Sequence, residues 1–259
     1  MIKRITLFPS FFLLLLIPAI THAYTFSPSV ATITSSGHST SCLFSISNPD
    51  DRIIPIDITI YELTKDIDGE PIEGREIIDD FIIYPSQFLL KPKARRSVQV
   101  RWVGDASIPY GRAFKILCRE IPLPKTDRAK PKEVEMSASI NILLNYAGRI
   151  YVVPQGAKPE IVIDSVETRR NEADRLELVI TCKNQGTRDG KLLNAKFIVS
   201  PADSRKEDTR KSTSVVLTLK DIPGLASSIF ANSSRRFVIP WPKNLPIGPV
   251  NVSLEQGEY

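Results

Sequence analysis

Of the 259 residues, 34 are Lys or Arg and 29 are Asp or Glu, giving a formal net charge of +5. Two of the basic residues, Lys3 and Arg4, lie in a leader, and the remaining excess is too mild to argue for a polyanion. No basic run carries interleaved aromatics, so no nucleic acid is expected as partner. Past the leader, no apolar run approaches the ~20 residues that span a bilayer, so no membrane insertion is expected.

Residues 1–23 read as a secretory signal peptide. Lys3 and Arg4 supply the positive start, 11–17 the apolar run, and Thr21-His22-Ala23 the small residues flanking a cleavage point before Tyr24. The mature chain is expected to be exported, with a periplasm as the best fit. Its length suits two domains of about 100–130 residues, divided here as 24–155 and 156–259. In the first, runs rich in Ile, Val, Phe and Tyr at 30–33, 41–47, 54–63, 77–83, 97–103, 112–121 and 137–153 read as strands. Asn48-Pro49-Asp50-Asp51, Asp66-Ile67-Asp68-Gly69, Lys91-Pro92-Lys93 and Gly104-Asp105 are turn chemistry between them. The charged, proline-bearing stretch 123–134 reads as a long connection between the sixth and seventh strands. After Pro154 a short linker leads to a second series at 161–166, 176–182, 195–199, 214–219, 235–239 and 250–254. No stretch longer than ten residues has a helical period, so the fold class is all-β: two antiparallel sandwiches, the second smaller.

Catalytic chemistry is scarce. The mature chain has one histidine, His38, in an apparent turn beside Gly37 and Ser39, with neither a Gly-x-Ser-x-Gly elbow nor a Ser-x-x-Lys pattern to accompany it. One histidine and three scattered cysteines do not have zinc-ligand spacing. Asp66, Asp68, Gly69 and Glu70 have a flavour of a calcium loop but lack the later bidentate Glu, which favours a plain hairpin turn. No enzyme, no metal and no cofactor are expected. Cys42 alternates with Phe44 and Ile46, and Cys118 with Phe114 and Ile116, so both thiols point inward. On the second and sixth strands of an immunoglobulin-like sandwich they face each other, and an oxidising compartment permits a disulfide. Two buried thiols too far apart to bond are the alternative. Cys182 reads as a small buried hydrophobe.

The most informative run is 137–154. Ile140, Ile142, Leu144 and Tyr146 recur every second residue and share one face of an extended strand, with Arg149 downstream. Pairing 112–121 antiparallel with 137–153 across the long connection sets Ile121 near Ala138 and Arg112 opposite about Ala147. Arg112 and Arg149 then lie close together, which is costly unless an anion joins them; a carboxylate is the obvious guest.

Further motifs are Phe26-Ser27-Pro28, Ser45-Ile46-Ser47-Asn48-Pro49, Tyr84-Pro85-Ser86-Gln87, Leu90-Lys91-Pro92 and the run from Val98 through Trp102 to Asp105. Glu120-Ile121-Pro122-Leu123-Pro124 and Gly148-Arg149-Ile150-Tyr151-Val152-Val153-Pro154 complete the set. On these pieces, in this order and spacing, the chain resembles the periplasmic chaperones of the chaperone–usher pathway, and among them the branch called archaic or alternate. The resemblance covers essentially the whole mature sequence, most strongly 48–159. It implies two immunoglobulin-like domains in a boomerang arrangement. It also implies donor-strand complementation of pilus or fimbrial subunits, bound one to one, with delivery to an outer-membrane usher. The donor row falls on Ile140, Ile142, Leu144 and Tyr146. Self-association of the free protein through that strand stays open. The family's carboxylate anchors, an arginine on the first strand and a lysine after the donor row, have no counterpart: 31–34 carries no cation and the lysine position is Tyr151. Arg112 and Arg149 are the substitute anchor expected here. A secreted two-domain structural or adhesin component of a surface fibre is the competing reading.

Overall fold

The computed structural model describes residues 23–122, 143–202 and 214–256. Residues 1–22, the whole 123–134 connection, and the donor-row residues Ile140 and Ile142 lie outside the described residues.

Strands β1 (Thr25–Ser27), β2 (Val30–Thr34), β3 (Ser41–Ser47), β4 (Ile54–Lys65) and β5 (Pro71–Glu76) open the first sandwich. It continues with β6 (Phe81–Tyr84), β7 (Gln87–Leu90), β8 (Arg95–Trp102), β9 (Arg112–Glu120) and β10 (Asn145–Val153). One sheet has the order β1-β3-β8-β6; the other runs β2-β10-β9-β4-β5, with β7 also on β4. Alternation explains the layering. Phe44 and Ile46 from β3 and Val98, Val100 and Trp102 from β8 meet Ile56, Ile58 and Ile60 from β4, Phe114 and Ile116 from β9 and Ile150 from β10 in one buried cluster. Phe81, Trp102 and Phe114 form an aromatic knot with centroids 4.9–5.7 Å apart, within the range where ring quadrupoles attract.

The second sandwich is built from β11 (Ile161–Arg170), β12 (Leu176–Asn184), β13 (Lys196–Pro201), β14 (Val215–Leu217), β15 (Ser234–Pro240) and β16 (Val250–Glu255). Its sheets have the orders β11-β12-β15 and β14-β13-β16, closing over Leu178, Ile180, Cys182, Phe197, Val199, Phe237 and Ile239. The fold is thus two immunoglobulin-like β-sandwiches, each with its own core.

One departure from the sequence reading has a clear cause. The run 77–83 is not one strand. Ile77 donates its N–H to the Ile60 carbonyl (2.8 Å) beside β4, whereas Phe81 onward pairs with β8 in the opposite sheet. The chain changes sheets inside an apolar run, which periodicity does not register. Cys42 and Cys118 are free thiols here, as is Cys182, the unbonded one of the two alternatives the sequence left open. Each thiol is packed into a core, and burial pushes Cys42 up to about 11 and both Cys118 and Cys182 up to about 12.

The sandwiches touch through the β4–β5 turn. Arg236 donates its N–H to the Ile67 carbonyl (2.7 Å) and its guanidinium, in two bonds, to the Asp68 carboxylate. Gly69 has φ +82°, and a Cβ there would lie 1.5 Å from Arg235 Nη1. Only glycine permits both the turn and the close approach. The Asp-rich run is therefore a hairpin turn docked on the second sandwich. Replacing Phe114, fully buried in the first core, by Ala should cost about 3–5 kcal/mol through lost burial and the cavity left behind. Urea unfolding followed at the tryptophans should show it as a lower midpoint.

Candidate functional site

β10 is antiparallel to β9 from Asn145↔Arg119 to Val152↔Arg112, but parallel to β2 only from Arg149↔Val30 onward. Residues 145–148 are therefore bonded by a strand on one side alone, and their other main-chain edge is unpaired by any described strand. Such an edge is a template for adding another strand. Leu144 and Tyr146, the described half of the donor row, are half-buried and pack against the first core. Tyr24 pins this end. Its ring is 0% exposed, meets Tyr146 edge-on with centroids 4.6 Å apart, and its hydroxyl lies 3.0 Å from the Cys118 carbonyl and 2.9 Å from the Leu144 carbonyl. That hydroxyl ties the last turn of β9 to the first of β10. Nothing in the sequence marks Tyr24 beyond its place after the leader.

The register corrects the expected arginine pair. Leu117, not Arg112, lies opposite Ala147, so the hairpin is slipped by five residues from the expected pairing. Arg112 faces the core end of its sheet, bonded to Glu62 at 3.0 Å and Asp80 at 3.2 Å, over the rings of Trp102 and Phe114. Arg149 is on the opposite face, beside Lys115. Arg112 caps the core and does not act with Arg149. A loop of uncertain share between two strands gives no count from which to read pairing.

Arg149 lies on the lip of a cleft of about 710 Å³ between the sandwiches, with Tyr151 from its own side and Lys158, Arg188, Asp189 and Lys191 across it. Below it Tyr151, Val153, Ala113 and Leu63 pack against Phe230 of the second sandwich. The far wall is fixed by Asn184, 0% exposed. Its Nδ2 donates to the Arg188 and Ile229 carbonyls (2.8 and 3.0 Å), and its Oδ1 accepts from the N–H groups of Glu160 and Gly186 (3.1 and 3.0 Å). All the hydrogen-bonding capacity of that amide is used, so the turn carrying Arg188 and Lys191 is held rigidly. Lys65, behind the cleft, donates to Ser227 Oγ (2.7 Å) and the Ser228 carbonyl (2.9 Å). Burial, reinforced by Arg235 and Arg149, lowers it to about 8. Neither Lys65 nor the 188–191 turn is marked in the sequence, because neither carries an apolar period.

No family model and no curated protein matches the sequence. Solved structures do. The class 5 fimbriae chaperone CfaA superposes with a TM-score of 0.51 at 12% identity, over 91% of this chain and 100% of that one. The fold is that of the fimbrial chaperones. A chain of the chaperone–tip adhesin complex of CFA/I fimbriae biogenesis gives 0.51 at 14% identity, over 90% and 98% of the two chains. A chain of the CsuC–CsuE chaperone–tip adhesion subunit pre-assembly complex, from archaic chaperone–usher Csu pili of Acinetobacter baumannii, gives 0.52 at 11%, over 90% and 97%. In the chaperone fold of this chain, the unpaired β10 edge and the cationic cleft lie at the two ends of one strand.

Tyr24→Phe removes only the hydroxyl, and should cost about 1 kcal/mol, the net worth of a buried hydrogen bond. Hydrogen exchange should quicken at Tyr146 and Gly148, whose amides face β9, and stay unchanged in β12. Lys65 has a folded value of about 8 against an ordinary 10.5. Between these two values the unfolded chain binds a proton that the folded chain lacks, so this group makes stability rise with pH across that window. Lys65→Met should remove that rise, read as the difference between the wild-type and variant urea midpoints over the same pH range.

Proposed function

We propose that this protein is a periplasmic chaperone that binds pilus or fimbrial subunits one to one and delivers them to an outer-membrane usher. The observation that carries the reading is the half-paired β10: its unpaired edge at 145–148 continues an apolar row, Ile140, Ile142, Leu144 and Tyr146, at strand spacing. A subunit whose sandwich lacks a strand exposes a groove and an unpaired edge. Main-chain bonds from an added strand satisfy the edge, and alternate side chains fill the groove. Leu144 and Tyr146 sit at the mouth of the chaperone's own core, so a client seated there continues one apolar layer from sandwich to sandwich. Arg149 supplies the cation at the foot of the strand, where a client's terminal carboxylate sets the register of pairing. This reading asks for no catalytic group, in keeping with a mature chain whose one histidine stands in a turn.

Co-expressed with its cognate subunit and purified from periplasm, the protein should elute as a one-to-one complex. Ile140→Glu with Ile142→Glu should abolish that complex while the free chaperone still unfolds in urea in one cooperative transition. Retention of the complex by a folded double variant would sink the donor-strand reading.

A further inference from the structure

Alternation along β15 calls for an apolar side chain at position 235. Arg235, Phe237 and Ile239 share the inward row of that strand, and the last two close the second core. The arginine is nonetheless 8% exposed, with Nε and Nη1 buried and without a hydrogen-bond partner among the described residues. Its guanidinium lies over the Phe237 ring, 5.4 Å from the centroid, and enters a slot walled by two glycines. A Cβ on Gly69, from the first sandwich, would lie 1.5 Å from Nη1 and 2.1 Å from Cζ. One on Gly224, from the second, would lie 2.5 Å from Nη2. The two glycines have φ +82° and +76°. Charge around the slot is not matched to Arg235. Lys65 lines the same recess, its ionisation lowered by burial and then by Arg235. Asp66, also in the recess, has Oδ1 engaged by the Glu70 N–H of its own turn (2.8 Å). Asp68 is taken by Arg236, and Asp189, felt by Lys65, has Oδ1 4.0 Å from Arg188 Nε.

We propose that Arg235 is the bolt of a hinge between the sandwiches: seated between Gly69 and Gly224 it fixes their angle, and withdrawn into water it lets them part as folded bodies. Two opposed terms make it a movable part. Shape holds the guanidinium in, because its flat group fits where only glycine leaves room. Desolvation drives it out, because a buried charge without a paired carboxylate has lost hydration that the slot does not replace. The bonds that oppose parting are few. Gly111 donates its N–H to the Thr187 carbonyl (2.8 Å), and Arg236 donates its own to the Ile67 carbonyl (2.7 Å). Lys65 reaches Ser227 and Ser228, and Arg236 reaches Asp68. The apolar contact is a small cluster around Phe230. Each sandwich closes a core of its own, so parting exposes little apolar surface, which is the condition for opening below the global free energy of unfolding.

The test is hydrogen exchange on the full chain, without any subunit, over a series of low urea concentrations. The Gly111 and Arg236 amides should exchange through an opening with little urea dependence, ahead of the β9 and β12 amides, whose exchange follows global unfolding. Exchange of all of them in step would overturn the hinge. Gly69→Ala should quicken Gly111, whose acceptor lies in the 185–190 turn and not on β15, by about tenfold, the equivalent of one lost hydrogen bond across the joint. Alanine at φ +82° is strained in its own right, so the deciding measurement is a double-mutant cycle with Arg235→Val, which keeps an apolar side chain in the core row. With the guanidinium gone the added methyl has room, and Gly69→Ala should leave Gly111 exchange nearly unchanged in that background. An effect undiminished by Arg235→Val would show that the methyl acts through its turn alone and would overturn the bolt. Gly224→Ala presses the same guanidinium from the other wall and should quicken Gly111 as Gly69→Ala does, with β9 and β12 unaffected. No change at Gly111 in Gly224→Ala would overturn the bolt even if the Arg235 variant did not fold. These outcomes stand apart from subunit capture, since no subunit is present.

Discussion

The pairing of β10 with β9 along nearly its whole length, and with β2 only over its second half, sets the geometry on which the functional surfaces depend. The register places Tyr146, Gly148, Ile150 and Val152 inward and Asn145, Ala147, Arg149 and Tyr151 outward. The inward set closes the first core. The outward set lies over the second sandwich at Tyr151 and opens into the cleft at Arg149. Shifting the strand by one residue would exchange the two faces and destroy both. Gly148 is part of this constraint, since a Cβ there would meet Phe26 Cε1 at 2.9 Å and Ile116 Cγ2 at 3.1 Å.

Charge is distributed by a similar rule. Where an ionisable group is buried at the end of the first core it is matched: Glu120 takes a two-pronged bond from Arg52, and Asp57 is bonded by both Arg119 and Gln87. These pairings avoid the penalty of an uncompensated buried charge. The junction between the sandwiches is less fully paired: among the described residues Arg235 keeps Nε and Nη1, and Asp189 keeps Oδ1, without a hydrogen-bond partner.

Much of the fold was legible from alternation. Phe44 and Ile46, Val98 and Val100, and Phe114 and Ile116 announce half-buried strands because each presents one side chain to the core and the next to solvent. β5 was not legible: Pro-Ile-Glu-Gly-Arg-Glu is exposed on both faces and held at a sheet edge by main-chain bonds to β4, which leave no trace in hydropathy. β1 and β7 were too short to show a period. The donor row was readable as a row, and Arg149 as a cation at its foot. Arg112 was misassigned because its partners, Glu62 and Asp80, come from other parts of the chain.

The sequence by itself determined the fold class, the two-part organisation, the near-absence of catalytic side chains and the apolar strand with an arginine below it, since these rest on period, turn chemistry and residue count. Tertiary structure alone decided the hairpin register, the free state of the thiols, the pinning of β10 by Tyr24 and the gathering of Lys65, Arg149, Arg188, Lys191 and Arg235 around one junction. These are contacts between residues far apart in the chain. They are set by how two sheets stack and how two sandwiches meet, which no local pattern encodes.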